Sequence, residues 1–137
     1  MSTVSTTFLS NVLKRTELFG DEQITTLLGE AKQSDESITD IVVHEGYAPE
    51  DQFLRKLADV LNIPFMRLGN ETIDQEVLDK LPTKAVFQYN VVPVKLEDGL
   101  LLIASNDPLN AGLLDTLRMA SGSRVRFVLS TSSDISR

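Results

Sequence analysis

The chain has 137 residues, of which 42% are hydrophobic and 24% charged, proportions that are ordinary for a globular protein in water. It contains no cysteine, which excludes disulfides, thiolate metal sites and cysteine nucleophiles, and its single histidine, His44, disfavours zinc chemistry and a histidine-based triad. A net charge of -7 opposes binding to nucleic-acid phosphates. The composition therefore indicates a soluble, cytoplasmic domain without catalytic activity.

The distribution of charge divides the chain at Asn62-Ile63-Pro64. Residues 1–62 hold 5 Lys and Arg against 11 Asp and Glu, whereas residues 63–137 hold 8 against 9. Neither part has an apolar run near the ~20 residues of a membrane span, and the N-terminus lacks the features of a secretory signal. We predict an α+β fold, with a helical subdomain over 1–62 and a small mixed-sheet subdomain of β-α-β-β-α-β order over 63–137.

Four short helices are predicted in the first subdomain. The first covers residues 7–18, and Gly20 is expected to end it in a left-handed conformation. Asp21 is expected to cap the second helix, Ser37-Ile38-Thr39-Asp40 resembles a capping box before the third, and Pro49 suits the first turn of the fourth. The positions expected to be buried at helical spacing are Ile24, Leu27, Leu28, Ala31, Ile38, Ile41, Val42, Phe53, Leu54, Leu57, Val60 and Leu61.

The second subdomain is predicted to alternate strands and helices. Short strands are expected over 64–68, 91–96, 100–105 and 124–129, and helices over 74–81, 83–89 and 110–120. Glu97-Asp98-Gly99 predicts a tight hairpin between the second and third strands. Thr131-Ser132-Ser133-Asp134-Ile135 resembles the start of another helix, so we expect the natural protein to continue beyond this chain.

The motifs of common enzyme sites are missing from the sequence. No glycine begins a G-x-x-x-x-G-K-[ST] phosphate-binding loop, which makes nucleotide hydrolysis by this chain a poor interpretation. The adjacent carboxylates fall at helix starts and turns, where they complement helix dipoles or stay solvated, and His44 falls near a helix C-terminus. These carboxylate pairs are Asp21/Glu22, Asp35/Glu36, Glu50/Asp51 and Glu97/Asp98. We therefore assign no catalytic, cofactor-binding or metal-binding residue.

Three arginines lie close together in the sequence near the last strand. Arg124 and Arg126 share one strand face, because side chains alternate along a strand, and Arg118 precedes them. They could receive a carboxylate or phosphate from a partner, although a solvated sheet face is the more common outcome for such a pair.

Several passages from Ser37 onward occur in a recognisable order. They are the passage 46–53, the run 57–65 ending in Asn62-Ile63-Pro64-Phe65, Leu81-Pro82, the strand 90–94, the passage 102–109, Ser121-Gly122 before the last strand, and Ser133-Asp134-Ile135. In this order they resemble the N-terminal domain of type II secretion and type IV pilus assembly ATPases. The resemblance implies a docking domain that connects a cytoplasmic hexameric motor to a membrane-anchored platform component. It further implies that ATP and Mg²⁺ belong to the motor part of the parent protein.

One branch of this family binds cyclic di-GMP through tandem motifs, each with Arg-Leu-Gly nine to seven residues before a glycine and Gln fourteen residues after it. Counted from Gly46, these positions hold Ser37, Ile38, Thr39 and Val60. Counted from Gly20, they hold Asn11, Val12, Leu13 and Ser34. Both copies lack the arginine that would contact phosphate or guanine, so we predict no binding of cyclic di-GMP.

Three functional hypotheses follow. The first is a non-catalytic docking domain, peripheral at the inner-membrane face through a partner, within a parent ATPase that forms a homo-hexamer. The second is a regulatory domain that senses a small ligand or a nucleotide second messenger, because this order of strands and helices also forms ligand-binding domains. The third, an independent enzyme, is disfavoured by the missing nucleophile, metal and phosphate motifs.

Overall fold

The computed structural model describes residues 6–34, 36–68, 73–110 and 112–135. Four helices come first: α1 (Thr6–Arg15), α2 (Asp21–Gln33), α3 (Ile38–His44) and α4 (Glu50–Leu61). They are followed by α5 (Gln75–Leu78), α6 (Thr83–Tyr89), β1 (Val92–Glu97), β2 (Leu100–Ser105), α7 (Leu113–Ser121), β3 (Arg124–Leu129) and α8 (Ser132–Ile135). The predicted α+β fold is confirmed. No described helix is long and apolar enough to cross a membrane.

The helix ends differ in detail from the sequence-based expectation. Helix α1 stops at Arg15, and the left-handed residue after it is Glu17, with φ 61°, whereas Gly20 is extended, with φ -78°. Gly20 is itself the N-cap of α2, and its N–H donates to Gln23 Oε1 at 2.8 Å, so Gln23 rather than Asp21 provides the cap. At α3 the predicted cap is present, because Ser37 Oγ accepts from the Asp40 N–H at 3.1 Å.

The helices α1 to α4 enclose one hydrophobic core. Its largest fully buried side chain is Phe53, whose ring lies edge-on to that of Phe19 with centroids 5.9 Å apart. Val60 and Leu61, expected in this core, are only half-buried at the end of α4, and Ala31 of α2 is half-buried as well. Leu109 and Leu129 from the second part of the chain are buried in the same core. The proposed division at residue 62 stays a prediction.

The three strands form one mixed sheet in the order β1-β2-β3. β1 and β2 are antiparallel and joined by the predicted hairpin, in which Asp98 and Gly99 have φ of 51° and 80° as a tight primed turn requires. β2 and β3 are parallel and connected through α7. Helix α7 buries Leu113 and Leu117 against Leu101, Ile103 and other apolar residues of one sheet face.

The strand predicted over 64–68 is reduced to a single parallel bridge between Phe65 and Leu129. Extending the ladder toward the N-terminus would require an N–H from Pro64 to the carbonyl of Phe127, and proline has no N–H. In the other direction side chains replace the ladder: Asp134 Oδ2 accepts from the Leu68 N–H at 3.1 Å, and Ser130 Oγ donates to the Met66 carbonyl at 2.8 Å.

Two predicted helices are shorter than expected. The helix predicted over 74–81 covers only Gln75–Leu78, and the chain then continues in tighter turns, in which the Lys80 N–H donates to the Val77 carbonyl and the Leu81 N–H to the Leu78 carbonyl. Pro82 disfavours helical conformation at Leu81, the residue directly before it. The helix predicted over 110–120 begins at Leu113, because Gly112 precedes it in a left-handed conformation with φ 85°. Gly122, with φ 65°, ends that helix as predicted.

Candidate functional site

The three arginines noted in the sequence line one groove beside β3. This groove has a volume of about 670 Å³ and is lined by Arg118 of α7 and by Arg124 and Arg126 of β3. The other lining residues are Asn62, Ile63, Pro64, Leu100, Leu114, Val125 and Phe127. Both strand arginines are exposed on either side of buried Val125, which agrees with the predicted alternation. The spacing in the sequence did not indicate that the arginine from α7 would lie at the same groove.

The guanidinium groups of the groove are lightly partnered. Arg118 Nη1 lies 3.3 Å from Asp115 Oδ1, an exposed contact within one helix, and Arg124 Nη2 donates to the Asp98 carbonyl at 3.2 Å. Across the described parts of the chain, neither Arg124 nor Arg126 forms an ion pair with a carboxylate. Because each guanidinium carries five N–H donors, donors remain that can bind an anionic group entering the groove.

The outer edge of β3 is open along this groove. The Leu129 N–H donates outward to the Pro64 carbonyl, and the Leu129 carbonyl accepts from the Met66 N–H, both at 2.8 Å. Since the N–H and C=O of a strand residue point to one side and alternate along the strand, Val125 and Phe127 direct theirs to the same outer edge. The single bridge at Leu129 therefore leaves the first half of this edge without a neighbouring strand among the described residues.

The opposite edge of the sheet is protected. β1 contains Pro93 and an irregular register between Pro93 and Lys95, and α5 lies against this strand. Proline, bulges and covering helices are the usual means by which proteins prevent an edge from pairing with another chain. The first half of the β3 edge has none of these features and no described strand beside it, although Val125 and Phe127 are themselves only 5% and 9% exposed.

His44 lies in a different, acidic hollow. A smaller cavity of about 340 Å³ is lined by Glu30, Glu36, Glu45 and His44, among others, between the end of α2 and α3. His44 Nδ1 is 3.9 Å from a carboxylate oxygen of each of Glu36 and Glu45, and its side chain is 72% exposed. In the described ranges, no three His, Asp or Glu side chains, those of this hollow included, are placed so that they could hold a metal ion. The pair Asp35/Glu36 falls partly outside them.

Most positions that correspond to the cyclic di-GMP motifs are used for helix packing or capping. Ile38 and Thr39 are 7% and 1% exposed, and Ser37 caps α3. In the other copy Val12 and Leu13 are 3% and 0% exposed. The equivalents of the motif glutamines are Val60, which is half-buried, and Ser34, whose Oγ donates to the Glu30 carbonyl at 3.1 Å.

A polar junction that the sequence did not indicate joins α4 to the sheet. Glu50 Oε2 accepts from Asn106 Nδ2 at 3.0 Å and from the Ser132 N–H at 2.9 Å, while Asn106 Nδ2 also lies 2.6 Å from Ser132 Oγ. Asp107 follows directly, and burial together with the charge of Asp40 raises the pKa of its carboxyl to about 6. The only signal for this junction was the Asn106-Asp107-Pro108 turn. The side chains of Glu50, Asn106 and Ser132 satisfy one another's hydrogen bonds, which indicates that the junction has a structural role.

Comparison with known proteins gives two kinds of curated relative. The chain is 22% identical over 123 residues to the type IV pilus assembly ATPase PilB of Myxococcus xanthus, covering 90% of this chain and 22% of PilB. It is also 22% identical over 121 residues to the bacteriophage adsorption protein B of Escherichia coli strain K12, covering 88% of this chain and 16% of that protein. The chain thus spans about a fifth of the length of these relatives.

Solved structures share its fold. A structure described as MshE with cdg superposes with a TM-score of 0.75 at 20% identity and covers 93% of both chains. The N-terminal domain of XpsE superposes with a TM-score of 0.73 at 23% identity, covering 99% of this chain and 94% of that one. The MshEN domain family matches residues 61–137, more than half of the chain. These findings confirm the resemblance seen in the sequence: the chain belongs to the MshEN domain family.

Proposed function

We propose that this chain is a non-catalytic docking domain of a type II secretion or type IV pilus assembly ATPase. In this proposal it connects a cytoplasmic motor, which forms a homo-hexamer, to the cytoplasmic part of an inner-membrane platform protein. ATP and Mg²⁺ are bound by the motor, outside this chain. The domain therefore stays in the cytoplasm and is held at the membrane face by its partner.

The observation that carries the proposal is membership of the MshEN domain family together with the fold of the MshE and XpsE N-terminal domains. The pilus ATPase PilB adds support from sequence, since its match covers 90% of this chain. The bacteriophage adsorption protein B, whose name does not describe an ATPase, matches almost as much of the chain. That the parent protein contains a motor is therefore itself part of the proposal.

The geometry supports binding of a partner better than chemistry on a substrate. The groove residues able to carry charge are the three arginines, which bind anions but serve poorly as acids or bases because they stay protonated. Two of the predicted carboxylate pairs, Asp21/Glu22 and Glu50/Asp51, lie in the first turns of α2 and α4, where they complement the helix dipole.

The proposal is tested by co-purification. The chain is mixed with the cytoplasmic parts of the bitopic inner-membrane platform proteins encoded in the source organism, and complexes are measured by size-exclusion chromatography with light scattering. We expect one of these proteins to form a stoichiometric complex. If none of them binds either this chain or the full-length parent, the docking proposal is wrong.

A second candidate function is the sensing of a nucleotide second messenger, which the structure described as MshE with cdg favours. Against it, Arg is missing at both motif positions, and the hollow near Ser34 is lined by carboxylates that repel phosphate. Isothermal titration with cyclic di-GMP decides between the two. We expect no heat of binding, and micromolar or tighter affinity would replace docking by sensing as the leading proposal.

A further inference from the structure

The open first half of the β3 edge offers a row of main-chain groups to another chain. Val125 and Phe127 each direct an N–H and a C=O outward, and no described strand pairs with them. Pro64 keeps the neighbouring segment from completing the ladder, because it lacks the N–H that the Phe127 carbonyl would accept. Val125 and Phe127 both line the groove, whose volume of about 670 Å³ leaves space beside the strand.

Positive charge flanks this edge on both faces of the sheet. Arg118 is on α7, the helix that packs on the face formed by Val125 and Phe127. Arg124 and Arg126 alternate with those residues and therefore lie on the opposite face. The concentration of three arginines is notable in a chain with a net charge of -7. An added strand would direct its own side chains alternately to the two faces, and so toward arginine on either side.

We propose that an extended segment of a partner protein, with acidic side chains, adds to the outer edge of β3 as a fourth strand. Main-chain hydrogen bonds to Val125 and Phe127 hold the segment, and carboxylates bound by Arg118, Arg124 and Arg126 select it. Addition of a strand to a free sheet edge is an established mode of peptide recognition, in which backbone bonds give affinity and side chains give specificity. The inference rests on the docking function proposed above, since it names the chemistry of the docked segment.

The first test identifies what the groove binds without assuming the natural partner. A library of short random peptides displayed on phage is selected against the 137-residue chain. We expect enrichment of peptides with Glu or Asp at alternating positions among β-branched residues. Enrichment of peptides without acidic residues, or no enrichment at all, overturns the proposal.

The second test locates the binding site. The double variant Arg124→Glu/Arg126→Glu should weaken binding of an enriched peptide by about tenfold or more, because it reverses two charges at the groove. Lys32→Glu, an exposed charge reversal on α2 outside the groove, should change binding by less than about twofold. Amide hydrogen exchange measured by NMR should slow at Val125 and Phe127 in the complex. Unchanged exchange at both amides, or equal affinity in the double variant, overturns strand addition.

Other occupants of the groove give different results. Micromolar binding of inorganic phosphate, without slowed exchange at Val125 and Phe127, would assign the groove to a small anion and overturn the proposal. A dimer that is detected by analytical ultracentrifugation and lost in Arg124→Glu/Arg126→Glu would assign the edge to a second copy of this chain. That result would also overturn the proposal.

Failure of this inference is distinguishable from failure of the docking function. If the platform protein binds the wild-type chain and the double variant equally, docking stands and strand addition at β3 is wrong. If acidic peptides bind the edge but no platform protein binds the chain, strand addition stands and the assignment of the partner is wrong.

Discussion

The raised pKa of the Asp107 carboxyl predicts an unusual dependence of stability on pH. This residue lies in the turn after β2 and is half-buried. Burial and the nearby charge of Asp40 raise its pKa from 3.8 to about 6, while a hydrogen bond from Asn110 acts in the opposite direction. The folded chain therefore holds the proton of Asp107 more tightly than the unfolded chain does, so ionisation of this group opposes folding.

The size of the effect follows from the difference in proton affinity. Each tenfold change in proton affinity, which is one pKa unit, is worth about 1.4 kcal/mol. The rise in pKa from 3.8 to about 6 therefore lowers the free energy of unfolding by about 3 kcal/mol once Asp107 is ionised. Below pH 3.8 Asp107 is protonated in both the folded and the unfolded chain, and this cost is absent. The contribution of Asp107 to stability thus declines as pH rises from 3.8 to about 6, and is constant above that range.

The substitution Asp107→Asn tests this reasoning, because asparagine has nearly the shape of the protonated acid and cannot ionise. We expect urea unfolding followed by circular dichroism to show the variant more stable than wild type by about 2–3 kcal/mol near pH 7.5, with a difference close to zero near pH 4. The control Asp59→Asn, at an exposed position of α4, removes the same charge and should have little effect. A difference independent of pH, or a variant less stable at neutral pH, would refute the argument.

Three further predictions concern packing, buried polar groups and glycine conformation, each measured as the free energy of urea unfolding. Phe53→Ala should cost about 3–5 kcal/mol, because Phe53 is fully buried, and a loss below about 1 kcal/mol would show that the core collapses around the gap. Asp134→Ala should cost about 1–3 kcal/mol, because it leaves the buried Leu68 N–H without its carboxylate acceptor. Arg67→Ala should cost less, because the Arg67 side chain is 60% exposed, and a larger loss for Arg67→Ala than for Asp134→Ala would contradict this reasoning. Gly29→Ala should stabilise the chain by about 0.5–1 kcal/mol, since Gly29 lies within α2 and there is space for the added methyl group. Gly122→Ala should destabilise it by about 1 kcal/mol, because the φ of 65° at Gly122 is unfavourable for alanine. Equal effects of the two substitutions would contradict this argument.

Local patterns in the sequence determined most of the fold. The helical spacing of apolar residues predicted α2, α3 and α4, and Glu97-Asp98-Gly99 predicted the hairpin between β1 and β2. These features depend on interactions between residues close in the chain, so a single sequence is sufficient to predict them. The order of motifs from Ser37 onward likewise indicated the family, which the match over residues 61–137 confirms.

Contacts between distant residues decided the rest. The strand predicted over 64–68 satisfied the local pattern, but its pairing was limited by the missing N–H of Pro64 and by the side chains of Asp134 and Ser130. Local periodicity carries no information about which partner receives a main-chain hydrogen bond. Periodicity did predict that Arg124 and Arg126 share a strand face. It could not predict that Arg118 would lie at the same groove beside β3, because only the packing of α7 on the sheet brings it there.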